Sequence, residues 1–563
     1  MSTTTVDSVP APRHTPTPPA QPQQSIVLLF CALMLVMLQA SLTQTVLAPA
    51  LPTMVGDLHG VEHMSWVITA FILASTVGMP IYGKLGDLLG RKYLLVLAIV
   101  LFTGGSVVGG FAHDMATLIT SRVIQGLGGG GLMILSQAII ADVIPARERG
   151  KYMGVLGGVF AFSSVAGPLL GGWFTEGPGW RWAFWMNIPL GPLTVVAAIV
   201  LVRNRRPAAD ARPKVDYLGM VLLSLATTAI VLVSTWGGTE YEWDSPVILG
   251  LIGIAVVAAV LFCVVESKAA EPVMPLRLFR DRNFNLCTVS ALTTGIAMFG
   301  AIGYMPTYLQ MSAGVNATVA GLLMIPMMGS LLVTSIGVGQ IVSRTGRYKI
   351  WPIVGSLLMA VGLVLLSTVT HTTPVAVICG YLAVIGLGIG CSMQLITVIV
   401  QNSFPLRMVG TATAANNYFR QVGATLGSGV VGSLFISRLV DLITERLPVK
   451  GAPSDGANSL TPAMVNQLPD AIRIPIVESY DEALMPLYLY MVPLAVLGAV
   501  VMLFIHEKPL ATTLEPDTPA QSIAEGQLLA NDSAATTDGD AGHGSHKTVD
   551  EPGPEAPKRR QAS

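Results

Sequence analysis

Two stretches decide the architecture when read as a pair: Gly83-Lys84-Leu85-Gly86-Asp87-Leu88-Leu89-Gly90-Arg91-Lys92 and Gly339-Gln340-Ile341-Val342-Ser343-Arg344-Thr345-Gly346-Arg347-Tyr348. Each is a short basic segment punctuated by glycine and flanked by apolar runs long enough to cross a bilayer. A second pair, GLGGGG at Gly126–Gly131 and GLGIGC at Gly386–Cys391, recurs at nearly the same offset. Aligned this way, helices one to six match helices nine to fourteen, and helices seven and eight are left over as an inserted pair.

The apolar windows lie near 26–48, 62–81, 93–111, 115–138, 151–173, 182–202, 217–236, 247–265, 285–306, 317–338, 350–369, 373–398, 410–437 and 484–504. Fourteen spans suit a chain of 563 residues that is 52% hydrophobic and only 12% charged. Soluble domains carry roughly 25% charge, so a soluble enzyme is excluded. Basic residues set the orientation. With the N-terminus cytoplasmic, nineteen Lys and Arg fall in inner loops and five outside. An even span count then places both tails in the cytoplasm.

The expected organisation is a cytoplasmic N-terminal tail at 1–25 and an N-terminal six-helix bundle at 26–202. Two inserted helices with linkers follow at 203–283, then a C-terminal six-helix bundle at 284–504 with an external loop at about 439–482 that mixes Pro, Gly, Ser and charge and has room for a short helix. Residues 505–563 read as a disordered cytoplasmic tail. The near-zero net charge gives no reason to expect nucleic acid. The five cysteines sit in apolar segments without a CxxC and read as small buried hydrophobes, so neither a metal nor a cofactor is expected. A channel would want a continuous polar path. An ATP-driven pump would need a phosphate-binding Gly-rich loop, and the chain has none.

On these motifs the chain resembles the major facilitator superfamily, and within it the fourteen-helix drug:proton antiporters of the EmrB/QacA kind. The 83–92 loop is similar to the superfamily's loop between helices two and three. Leu118–Gly128, with Arg122, Gln125 and Gly126, resembles the fourth-helix motif, and SSVAGPLLGG at 163–172 the antiporter motif of helix five. The run GWRWAFWMNIPLG at 179–191 resembles the most characteristic signature of the fourteen-helix subgroup; GTATAANNYFRQVG at 410–423 and IHEKPL at 505–510 are further matches. The resemblance implies an all-α polytopic protein of the bacterial cytoplasmic membrane that works as a monomer. Its implied activity is export of hydrophobic or amphipathic compounds by alternating access in exchange for protons, as in multidrug efflux and antibiotic resistance. One departure stands out: the subgroup's acidic residue in helix one is Thr43 here, and its Asn is Ala48. A lipid or cell-envelope metabolite exporter on the same scaffold would tolerate that loss.

Several residues are expected to carry such a function. Asp87, Arg91 and Lys92 form a gate candidate, with Asp142, Arg147 and Arg149 as partners beneath helix four; solvated loop charge is the alternative reading. Arg122 lies within a span and must pair or face a wet cavity, where it is expected to belong to a proton relay, with snorkelling or a structural hydrogen bond as the alternative. Asp142, on the same helix as Arg122, is the candidate for proton coupling, set against an ordinary solvated helix end. Gly167, Pro168, Gly171 and Gly172 suit close packing and bending of helix five. Candidate substrate contacts, each with core packing as the alternative, are Gln39, Thr43, Gln44, Met305, Tyr308, Gln310, Met327, Gln394, Asn416, Phe419 and Arg420. Partners are then small amphiphiles or lipids and the surrounding membrane lipids.

Overall fold

A computed structural model describes residues 26–60, 63–203, 215–312, 314–315, 317–446, 465 and 469–512. These hold fourteen helices long and apolar enough to span a membrane. In chain order they are α1 (Ile26–Asp57), α2 (Met64–Leu89), α3 (Arg91–Gly110), α4 (Met115–Val143), α5 (Ala146–Glu176), α6 (Trp182–Leu201) and α7 (Tyr217–Trp236). Then come α8 (Pro246–Lys268), α9 (Arg282–Ser312), α10 (Thr318–Thr345), α11 (Ile350–Ser367), α12 (Val375–Ser403), α13 (Leu406–Arg446) and α14 (Ile472–Leu503). The fold is all-α, and the number of spans agrees with the hydropathy reading.

Boundaries follow local chemistry. Gly90 and Gly346 end α2 and α10 with positive φ, 97° and 74°, which a side chain would resist. Asp114, Ser245 and Asp281 cap α4, α8 and α9 by accepting the backbone N–H of Thr117, Ile248 and Phe284. Solvent-exposed Asp114 is held below the usual carboxylate range by its bonds to Thr117. Four spans are interrupted. The breaks in α6, α9, α10 and α14 fall next to Pro189, Pro306, Pro326 and Pro486, which lack the N–H that would continue the ladder.

Two expectations are corrected. Part of the supposed external loop at 439–482 is helical: α13 runs unbroken to Arg446, and a helix over Asp470–Leu484 forms the first part of α14. Residues 505–512 are not a disordered tail but a hydrogen-bonded strap. His506 exchanges backbone–side-chain bonds with Asn283, Glu507 accepts the N–H of Tyr348, and Lys508 pairs with Asp281 at 3.0 Å. Pro509 O accepts from Asn402, and Ala511 O accepts the N–H of Arg147. The Tyr348 hydroxyl, bonded to the N–H of Lys508, has its pKa pushed up to about 12 by burial.

The apolar core divides unequally. At the end of the molecule carrying Asp87, one cluster joins both repeats, running from Leu95, Leu135 and Met153 through Val342 and Ile399 to Ala412 and Tyr418. Toward the other end the core separates. Val46, Met54, Leu118 and Phe184 belong to one cluster, while Met298, Met327, Leu363, Val431 and Tyr488 belong to another. The two repeats thus share packing at one end and keep largely separate cores at the other. The inserted pair α7–α8 leans on the bundle through α7. Trp236 meets Trp66 of α2 at 5.7 Å, and Thr227 meets the Tyr418 hydroxyl of α13 at 2.8 Å. The exposed face of α8, with Val256, Val257 and Val260, suits lipid.

The glycines of α5 serve α1. A Cβ at Gly171 would collide with Val46 O and one at Gly167 with Thr45, whereas Gly172 has only Thr318 Oγ1 at 3.6 Å. Close backbone approach is how membrane helices gain dispersion contacts without a hydrophobic drive. Gly171→Ala should therefore destabilise the protein by about 1–3 kcal/mol in a dodecyl-sulfate unfolding titration. Gly172→Ala and Gly250→Ala, which meet open or ordinary space, should leave the midpoint unchanged.

Candidate functional site

The two sequence repeats dock on each other reciprocally. Gly83 of α2 lies against Gly410 and Ala414 of α13, so close that a Cβ on Gly83 would sit 2.8 Å from Gly410 O. Gly339 of α10 lies in the same way against Gly150 of α5. Gly154, one turn further along α5, would place a Cβ 2.5 Å from Ser335 O. Only glycine permits backbones this near. The repeat offsets found in the sequence relate these contacts: the first copy of the loop motif grips the second copy's helix, and the second grips the first's.

Asp87 sits on this seam and is almost fully enclosed. Its Oδ2 accepts the Thr411 N–H at 2.7 Å and the Thr411 hydroxyl at 2.8 Å, across to α13. Its Oδ1 accepts Arg91 Nη2 at 2.7 Å. Arg91 continues to Asp142 Oδ1 at 2.7 Å, to Ala138 O at 2.5 Å and to Leu406 O at 3.2 Å. One guanidinium thus bridges two carboxylates from α2 and α4 and also touches the start of α13. Such charge-assisted bonds are worth roughly 1.5–3 kcal/mol each. On the other half of the seam Arg147 donates to Ser343 O at 3.0 Å and Arg344 O at 2.9 Å. Ser343 stands where Asp87 stands in the first copy, so the second grip uses a backbone carbonyl instead of an acid.

The remaining candidates separate by environment. Lys92 leaves the seam and donates to Ile199 O at the end of α6. Arg149 fastens its own helix start to Ile144 O and Ala141 O. Arg122 is sealed inside the first repeat. It donates to Val67 O at 3.0 Å and Gln125 Oε1 at 2.7 Å and lies 4.3 Å over the Phe71 ring, and Gln125 passes the chain on to Ser106. Arg122 and Asp142 are not brought together, being separated by about 30 Å along α4. Asp142 pairs with Arg91 instead.

Thr43 is enclosed in a neutral cluster. Its hydroxyl lies 2.8 Å from Gln39 O and 3.0 Å from Asn187 Oδ1, while Gln39 reaches Asn187 O and Thr194 of α6. Met305, Tyr308 and Met327 are packed in the second repeat's core, and Gln310 bonds to Pro306 O. Gln44 is exposed. Gln394 lines a small cleft with Gly157, Phe160 and Ser335, between α5, α10 and α12. Phe419 stacks edge-on with Phe279. Asn416 is buried, and Arg420, joined to Asn417, faces the side of α13 that meets Gln137 of α4.

A feature that hydropathy reading passes over is a charged group at the start of α14. Asp481 is buried and accepts the backbone N–H of His371, whose ring Nδ1 lies 3.3 Å away. Glu478 and Arg446 extend the group outward. The helical spacing of Val477, Tyr480 and Leu484, all inward-facing, is the signal that could have revealed this helix. Among the described residues no group of three or more His, Cys, Asp or Glu is arranged to hold a metal.

Comparison with known proteins agrees with this geometry. The sequence profile of the Major Facilitator Superfamily matches residues 30–428. The chain belongs to that superfamily. It is a secondary transporter of the membrane and not an enzyme. An MFS-type transporter of Mycobacterium tuberculosis strain H37Rv is 42% identical over 86% of this chain and 70% of its own. Multidrug transporter protein MdtP of Bacillus subtilis is 37% identical over 76% of this chain and 78% of its own. Multidrug resistance protein 3 of the same bacterium is 31% identical over 88% and 98%. The solved structure of the human organic anion transporter MFSD10 (TETRAN) shares the fold, with a TM-score of 0.58, 14% identity and coverage of 86% of this chain and 100% of that one.

The seam makes a direct prediction. Asp87→Asn removes the ionic bond to Arg91 and weakens the acceptor for Thr411, so the joined arrangement of α2 and α13 should lose about tenfold or more in population. Spin labels at exposed Leu89 and Arg407 should then report a longer separation in the variant. An unchanged distance distribution would remove Asp87 from the gate.

Proposed function

We propose that this chain exports hydrophobic or amphipathic compounds from the cytoplasm by alternating access, in exchange for protons. The observation that carries the reading is the Asp87–Thr411 bond across the seam, continued through Arg91 to Asp142. A contact between repeats that rests on a few strong polar bonds and glycine-to-glycine packing can open and reclose as a unit. Only differential contacts of this kind let a cargo or a proton shift the equilibrium between states. The basic-residue bias supports a cytoplasmic position for the seam and for both chain termini, and the membrane is read as a bacterial one. The two six-helix units are the moving bodies, α7 touches both of them through Trp66 and Tyr418, and a single chain suffices. Two multidrug proteins among the relatives support the class of cargo, and the motifs suggest the drug:proton subgroup.

Two carboxylates on one guanidinium also supply a place for a proton. With Arg91 held by both Asp87 and Asp142, neutralising one acid leaves the cation paired with the other. Asp142, the more accessible of the two at 21% side-chain exposure against 5%, takes the proton and Asp87 keeps the latch. The neutral surroundings of Thr43 favour a second reading, in which a lipid or envelope metabolite moves without proton antiport.

Proteoliposomes with an imposed pH gradient separate the two readings. An amphiphilic dye should be moved by the gradient in the native protein, and Asp142→Asn should abolish gradient-driven movement while leaving dye-for-dye exchange within about twofold. Movement that ignores the gradient would select the second reading, and no movement of any amphiphile would refute export altogether.

A further inference from the structure

The buried arginines are compensated unequally. Arg91 holds two carboxylates and two carbonyls, Arg122 a carbonyl, an amide and a ring face, and Arg149 two carbonyls. Arg420 donates to one neutral oxygen, Asn417 Oδ1 at 2.5 Å, and pairs with no acid among the described residues. A guanidinium carries five N–H donors and stays charged, so one bond leaves most of its capacity unused.

Position makes this unusual. Arg420 lies about 16 Å along α13 from Val409, inside a helix long and apolar enough to cross a hydrocarbon layer about 30 Å thick. A cation there must meet a partner or a wet space. The side chain is half-buried and not sealed, unlike Asn416 and Asn417. Asn417 turns its amide to Gln137 Oε1 of α4 at 3.2 Å, so this face of α13 looks toward the first repeat. Asn416, one turn before Arg420, has a buried Nδ2 without a hydrogen-bond partner. Along α13, the shared core ends with Tyr418, Val422 and the flanking Leu426, and the next buried apolar residue, Val431, belongs to the separate cluster of the second repeat. Arg420 therefore stands in the last turns of the shared core, shortly before the cores of the two repeats part, about 14 Å beyond the Thr411 latch.

We propose that Arg420 is the binding residue for an anionic head group, and that the cargo is an amphipathic organic anion: a carboxylate, sulfonate or phosphate ester on an apolar body. This rests on the export reading and narrows its substrate class. The head group completes the guanidinium's hydrogen bonds from the space between the repeats, and Asn417, itself fixed by Gln137, orients the guanidinium. Lipophilic cations meet repulsion at the same place, with no acid paired to Arg420 to offset it.

The test is equilibrium binding to the purified full chain in nanodiscs of zwitterionic phosphatidylcholine, which needs no gradient. The probes are a dansyl-labelled undecanoic acid, its neutral methylamide and the corresponding amine. The acid should bind at least about tenfold more tightly than the amide, as expected for a charge-assisted bond, and the amine more weakly still. Arg420→Gln should erase the preference for the acid while changing amide binding less than about twofold. Arg420→Lys should keep part of the preference, and answers the question if the glutamine variant does not fold. Nanodiscs containing phosphatidylglycerol distinguish sources of the anion. Competition with the acid probe identifies a lipid head group, and its absence a free amphiphile. Equal binding of acid and amide to the native protein, or an Arg420→Gln variant that keeps the preference, overturns the proposal. If binding behaves as expected but gradient-driven transport is absent, the export reading falls and the anion site stands.

Discussion

Everything at the Asp87 end depends on two backbones coming close enough to touch. Gly83 against Gly410 and Gly339 against Gly150 bring the repeats together with no side chain between them. Only at that distance can the Asp87 carboxylate reach both donors of Thr411, and Arg147 the carbonyls at the end of α10. Hydrocarbon provides no drive to press helices together, so packing and a few directed polar bonds must supply the adhesion.

Charge inside the protein follows one rule with three outcomes. Arg122 is neutralised in place by carbonyl, amide and ring, and serves to brace α4 against α2. Arg91 is shared between acids from two helices. Arg420 is left under-bonded shortly before the cores of the two repeats part. What separates these three arginines is the set of neighbours, not the residue type.

Much of the architecture is legible in the chain. Apolar windows mark the spans because a bilayer imposes a length, and the loop motif marks the ends that meet because glycine and arginine recur there. The misreadings also have physical causes. The amphipathic first part of α14 averages too polar for a hydropathy window, so Asp481 and its partner His371 look like loop residues. The 505–512 strap is too short and mixed for a hydropathy window, yet its backbone is held by Asn283, Asn402 and Arg147, on three helices remote in sequence. Arg122 and Asp142 look like partners because they share a helix, but twenty residues of helix keep them at opposite ends.

The sequence by itself determined the membrane as solvent, the fourteen spans, the repeat and the residue types available at the seam. These are matters of composition, period and spacing, which the bilayer reads locally. Only the tertiary structure decided which charge meets which: Asp142 with Arg91 and not Arg122, Asp87 with Thr411, and Arg420 with almost nothing. Pairing depends on the approach of helices hundreds of residues apart, and that approach is set by the glycine contacts between the repeats.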